Sequence, residues 1–112
     1  MAAAAQALRV APDPLLPVAS RARALLARQS IEAALADLWA KRAPGMRECS
    51  LRAQLLCLPW FLGDVPLAKD VAYAWAALSR VCHHHAYELA PLPAELDGFV
   101  ALAGRLAAKV GE

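Results

Sequence analysis

Threonine is absent from this sequence, isoleucine occurs once, and aromatic residues fill only 6% of positions. β-branched and aromatic side chains are the usual strand formers, so their scarcity argues against a sheet-based fold. No stretch of 18 or more apolar residues runs without charge, and a membrane-spanning helix is therefore not expected. Cysteine is limited to Cys49, Cys57 and Cys82, an odd number without CxxC spacing. That excludes a disulfide framework or zinc ribbon as the organising device and suits a reducing, cytoplasmic setting. Charge of either sign is also modest: the net charge of +2 and pI near 8.6 are too weak to argue nucleic-acid binding by themselves.

Alanine dominates instead, at a quarter of all positions, and 60% of the 112 residues are hydrophobic. Alanine is the best helix former because it fixes no side-chain rotamer. A disordered chain is excluded by the apolar content, and the length allows one modest core. The expected fold is a single all-helical domain.

Prolines and glycines punctuate that domain. Met1 to Leu8 is apolar but has no basic leader, and Pro12, Pro14 and Pro17 follow it. Residues 1–19 therefore read as a disordered or loosely ordered arm rather than a signal peptide. A first helix is expected from Ser20, its N-cap, to Ala43, with Leu25, Leu26, Gln29, Ala33, Leu35, Leu38 and Trp39 on one face and Pro44-Gly45 as the stop. A second spans about Met46 to Leu62 with Leu51, Leu55, Leu58 and Phe61 inward, kinked or ended near Leu58 by Pro59.

The third helix starts at Asp64-Val65-Pro66, runs to about Leu89, and buries Val71, Trp75 and Leu78. The fourth, about Pro93 to Val110, carries Leu96, Phe99, Val100, Ala103, Leu106 and Val110 on one side. Short connections between four amphipathic helices predict an antiparallel four-helix bundle over residues 20–112. Trp39, Trp60 and Trp75 are expected as core or dimer-interface anchors, and the cysteines as small buried apolar residues.

One segment departs from this apolar plan. Arg80-Val81-Cys82-His83-His84-His85-Ala86-Tyr87 concentrates an arginine, three histidines and a tyrosine within about two helical turns. Burying so much hydrogen-bonding capacity without partners costs several kcal/mol, so the cluster must face solvent, a partner or a site. On an ideal helix Tyr87 shares the face of Arg80, His83 and His84 flank it, and His85 lies about 140° away.

Four readings compete, the weakest being a Cys82–histidine nucleophile pair, since cysteine beside histidine on a helix is common without catalysis. The plainest is a solvated helix end, where protonated histidine interacts favourably with the dipole. A metal site would use His84 with Glu88 or His83 with Tyr87, but adjacent histidines diverge and no HExxH occurs, so no metal or other cofactor is expected. The last is metal-independent cleavage of RNA. RNA brings its own nucleophile in the 2′-hydroxyl and needs only a base near neutral pH and a fixed cation, which histidine and arginine offer. Two copies meeting on a two-fold axis would double the set and form a groove.

Arg80, His85 and Tyr87 together read R-x4-H-x-Y. This resembles the signature of the HEPN superfamily, in the branch found as toxins beside nucleotidyltransferase antitoxins. Ala27 to Leu35 is similar to the early HEPN helix, and the resemblance extends over about Ser20 to Val110. It implies an HEPN-like bundle, a homodimer, and Arg80 and His85 as the catalytic pair of a metal-independent ribonuclease. Tyr87 would be the motif tyrosine, which in that branch a nucleotidyltransferase-type antitoxin can adenylylate. His83, His84 and Arg28 would contact RNA, Arg28 as part of a basic stretch with Arg21 and Arg23. Which of the three adjacent histidines acts as base stays open. Val81 stands where the family often has Asn or Asp, and this departure supports an alternative: a non-catalytic HEPN-like module binding a protein or nucleotide partner.

Overall fold

The computed structural model describes residues 16–82 and 92–112. Among them are four α-helices and one short 3-10 helix, with no strand: α1, Leu16–Arg42; a 3-10 turn, Pro44–Glu48; α2, Leu51–Leu62; α3, Val65–Cys82; and α4, Pro93–Gly111. The all-helical expectation holds. No described helix is long and apolar enough to cross a membrane.

Helix α1 is described from Leu16, four residues ahead of the expected start at Ser20. Proline's fixed φ suits the first turn of a helix, and Pro17 begins α1 where the composition suggested a break. Ser20 is consequently an interior, buried residue and not the cap. The buried face also differs from the expected stripe. Ala24, Ala27, Ile31, Ala34, Leu35, Leu38 and Trp39 pack inward, whereas Leu26 is 61% exposed, Leu25 lies at the margin, and Gln29 and Ala33 face out. In an Ala/Leu-rich helix the apolar periodicity is shallow, and Ala24, Ala27 and Ala34 permit closer approach than Leu25 and Leu26.

Three helices, α1, α3 and α4, pack mutually around Ile31, Leu35, Val71, Leu78, Leu96 and Leu106. Their directions follow from the side-chain contacts. Arg23 Nη2 meets Asp97 Oδ1 at 2.6 Å near the start of α1 and of α4, and Lys41 Nζ donates to the Val110 carbonyl at 3.2 Å near both ends. These two helices therefore run parallel. Tyr73 lies against Phe99 with ring centroids 6.4 Å apart, and Asp64 and Glu112 border one cleft, so α3 runs antiparallel to α4.

A bundle with three successive reversals would set α4 opposite α1, so the strictly antiparallel arrangement is corrected here. The connection that fails to reverse is the first. Pro44 opens a 3-10 turn, Cys49 is extended, and α2 then lies across the C-terminal end of α1. Trp39 reaches both Gln54 near the start of α2 and Phe61 near its end.

The junction has a buried polar centre. Trp39 is fully buried, and its indole N–H donates to Gln54 Oε1 at 2.9 Å. Gln54, 6% exposed, uses its amide nitrogen to donate to the Cys49 carbonyl at 2.9 Å. An indole nitrogen only donates and a carbonyl only accepts, so the two partners dictate the amide orientation. The Phe61 ring packs edge-on against Trp39 at 5.3 Å.

Local signals set the remaining ends. Ser50 Oγ accepts from the Ala53 N–H and caps α2. The helix does not end at Leu58 but continues through Pro59 to Leu62. Proline here removes one ladder bond in the final turn, where the Arg42 guanidinium reaches the Phe61 carbonyl at 3.4 Å. Gly63 follows with φ of +73°, the left-handed conformation that terminates helices and strains other residues. In α4 Leu96, Ala103, Leu106 and Val110 are buried as expected; Leu102 joins them while Val100 faces out. Cys57 and Cys82 are half-buried, but Cys49 is exposed, against the expectation of burial; all three are free.

Two stability measurements check this account. Gln54→Ala orphans the buried indole N–H and the Cys49 carbonyl, and should lower unfolding free energy by about 2 kcal/mol in urea titration. Gly63→Ala forces an L side chain into the left-handed region and should cost about 1 kcal/mol by the same measurement.

Candidate functional site

Helix α3 carries the part of the Arg/His cluster that the structure describes. Its N-terminus is fixed by Asp64, whose Oδ1 accepts from the Leu67 N–H at 3.0 Å, with Pro66 in the first turn. Leu67, Ala68, Val71, Ala74 and Leu78 bury one face of the helix against its neighbours. Arg80 therefore projects from the opposite side of the last turn, exposed. It makes no hydrogen bond or ion pair with another described residue, which leaves its guanidinium fork open to an anion. Val81, next along, is half-buried and packs on the core.

His83, His84, His85, Tyr87 and Glu88, and with them the expected end of α3 near Leu89, lie outside the described residues. Arg28 is described, on the half-buried flank of α1, with its Nε 3.7 Å from Glu32 Oε1 across one turn. Such an i,i+4 pair partly neutralises the cation. Arg23, from the same basic stretch, is engaged with Asp97. Among the described residues no three His, Cys, Asp or Glu side chains come together to hold a metal ion.

Among the described residues, grooves lie between three pairs of neighbouring helices, and Arg80 lines none of them. Between α1 and α4 a groove of about 510 Å³ is bordered by Leu26, Ala27, Val100, Ala103 and Gly104, with Arg23 at its edge. Between α3 and α4 one of about 310 Å³ combines Tyr73 and Phe99 with Asp70, Glu95 and Arg105. Between α2 and α3 an apolar groove of about 370 Å³ is lined by Leu55, Leu56, Ala72, Trp75 and Ala76, with Arg52 on the rim.

The third groove adjoins the most exposed of the three tryptophans expected as core or dimer-interface anchors. Trp39 is a core anchor and Trp75 is half-buried, but Trp60 is 81% exposed, and Leu56 one turn before it is 69% exposed. Charge and period alone conceal this surface, because both faces of α2 are apolar. The Leu55, Leu58 and Leu62 face turns inward. The available signal was the second i,i+4 series, Arg52, Leu56 and Trp60, left over once the inward face is assigned.

Against protein-family models, curated proteins and solved structures, the chain has no match.

Because Arg80 depends on α3 for its position, the cap at the start of that helix matters. Asp64→Ala removes the acceptor for the Leu67 N–H and should reduce stability by about 1 kcal/mol, read as a lower urea midpoint.

Proposed function

We propose that this chain is an HEPN-like domain acting as a metal-independent endoribonuclease or toxin-like component in the cytoplasm, cleaving RNA in a groove between two copies of itself. The observation that carries the reading is Arg80, exposed and unpaired among the described residues in the last turn of the third helix, followed in sequence at fixed spacing by His85 and Tyr87. An all-helical domain supplies the matching context.

In this reading His85 takes the proton of the ribose 2′-hydroxyl, and the oxygen attacks the adjacent phosphorus. The bond from phosphorus to the 5′-oxygen breaks, and that oxygen gains a proton. The products are a 2′,3′-cyclic phosphate and a 5′-hydroxyl end. Arg80 stabilises the charge that develops on the phosphoryl oxygens. Tyr87 orients the pair, or its phenolic oxygen attacks the α-phosphorus of a nucleoside triphosphate held by a nucleotidyltransferase-type antitoxin, losing its proton to solvent as pyrophosphate leaves. His83, His84 and Arg28 contact the RNA strand.

A second reading, a non-catalytic module for a protein or nucleotide partner, is favoured by Val81. The residue beside the arginine packs into the core and offers no polar group to a site.

Purified protein incubated with RNA in EDTA separates the two. The ribonuclease reading expects cleavage that persists in chelator and falls by about 10²-fold or more in Arg80→Ala and in His85→Ala. Intact RNA, or cleavage unchanged by both substitutions, would overturn it and leave the binding module.

A further inference from the structure

We propose that the outer face of α2 is a self-association surface, on which two copies of the chain pair through Arg52, Leu56 and Trp60 about a two-fold axis. The inference goes beyond the RNA-cleavage reading, which needs two copies but names no surface, and it uses none of the motif residues.

The starting point is an energetic anomaly. Leu56 and Trp60, one helical turn apart, leave 69% and 81% of their surface in water although both belong to well-formed helix. Single exposed apolar residues are ordinary, but here two large ones form a ridge beside an apolar groove. Leu56 belongs to both: it heads the ridge and forms one wall of the groove, whose floor is made by the small side chains Ala72 and Ala76 next to Trp75. In an isologous interface the same patch serves both partners, and a ridge along one helix can pair with its own copy across a two-fold axis.

The order of residues along α2 favours a second copy over an unrelated partner. Arg52, Leu56 and Trp60 are evenly spaced, four residues apart. Antiparallel pairing of two α2 helices centred on Leu56 places Leu56 against Leu56 of the other copy. It also sets each Arg52 opposite the other copy's Trp60. A guanidinium over an indole face is a favourable cation–π pair, and this register brings no two like charges together across positions 52 to 60.

Area sets the expected strength. The ridge, the Arg52 stem and the groove rim together cover on the order of 400–500 Å² per copy, below the roughly 800 Å² per partner of a standard specific interface and in the range of a weak, transient one. The dimer expected is therefore weak and reversible, with a dissociation constant on the order of 1–100 micromolar.

Sedimentation equilibrium of the full chain over a concentration series tests this. The wild type should pass from monomer to dimer in that range. Leu56→Asp and Trp60→Arg should each weaken association about tenfold or more, while leaving the far-ultraviolet circular dichroism unchanged, since both side chains are exposed. The Arg52→Glu/Trp60→Arg double variant should recover dimer, because the proposed register sets the new glutamate opposite the new arginine. Leu26→Asp, in the α1/α4 groove, should have no effect. A wild type still monomeric at about 1 mM would overturn the proposal, as would a dimer dissolved by Leu26→Asp but not by Leu56→Asp, or a double variant no better than Trp60→Arg alone.

Discussion

The buried indole of Trp39 is the constraint on which the rest of the arrangement rests. Leaving its buried N–H unpaired would cost about 1–3 kcal/mol, so the ring's packing is retained in full only where the N–H has an acceptor. Gln54 provides the acceptor, and its own amide then needs one more, which it takes from the Cys49 carbonyl. The last turn of α1, the end of the 3-10 turn and the first half of α2 are thereby joined through one side chain. The position of α2 across the end of α1 follows from satisfying that donor.

From this junction the directions of the other helices follow. Because the Pro44–Glu48 turn does not send α2 back down beside α1, the two remaining reversals leave α4 parallel to α1. The three longer helices form the core, and α2 is left with one face on α3 and the other in water. The exposure of Leu56 and Trp60 is thus a consequence of topology rather than of composition. The same topology gives α3 a free side near its last turn, and Arg80 extends from it.

Much of the fold is legible in the residues, and the exceptions have identifiable causes. The helix ends at Gly63 and the start at Asp64 are local chemistry: a left-handed glycine and an aspartate accepting from the backbone three residues on. The inward faces of α2 and α4 follow their leucines. On α1 Leu35, Leu38 and Trp39 are buried as expected, but Leu25 and Leu26 give way to Ala24, Ala27 and Ala34, whose small side chains permit closer approach of the neighbouring helices. Pro17 and Pro59 read as breaks in isolation; Pro17 sits in a first turn, where helices tolerate proline, while Pro59 costs α2 one ladder bond within four residues of its end. Of the candidate site, Arg80 and its exposed setting follow from the period of α3, Arg28 proves to be paired with Glu32, and the histidines and Tyr87 rest on sequence spacing alone.

The sequence by itself determined that the protein is helical, where two of its described turns fall, and that an arginine and three histidines gather outside the apolar pattern. Those properties come from short-range terms: rotamer entropy, capping and the fixed φ of proline. Only the tertiary structure decided that α1 and α4 run parallel, that Ala24, Ala27 and Ala34 are buried on α1 in place of Leu25 and Leu26, and that an exposed tryptophan stands on α2. Each depends on which surfaces meet across long sequence separations, and the hydrogen bond between Trp39 and Gln54 is one such long-range meeting point.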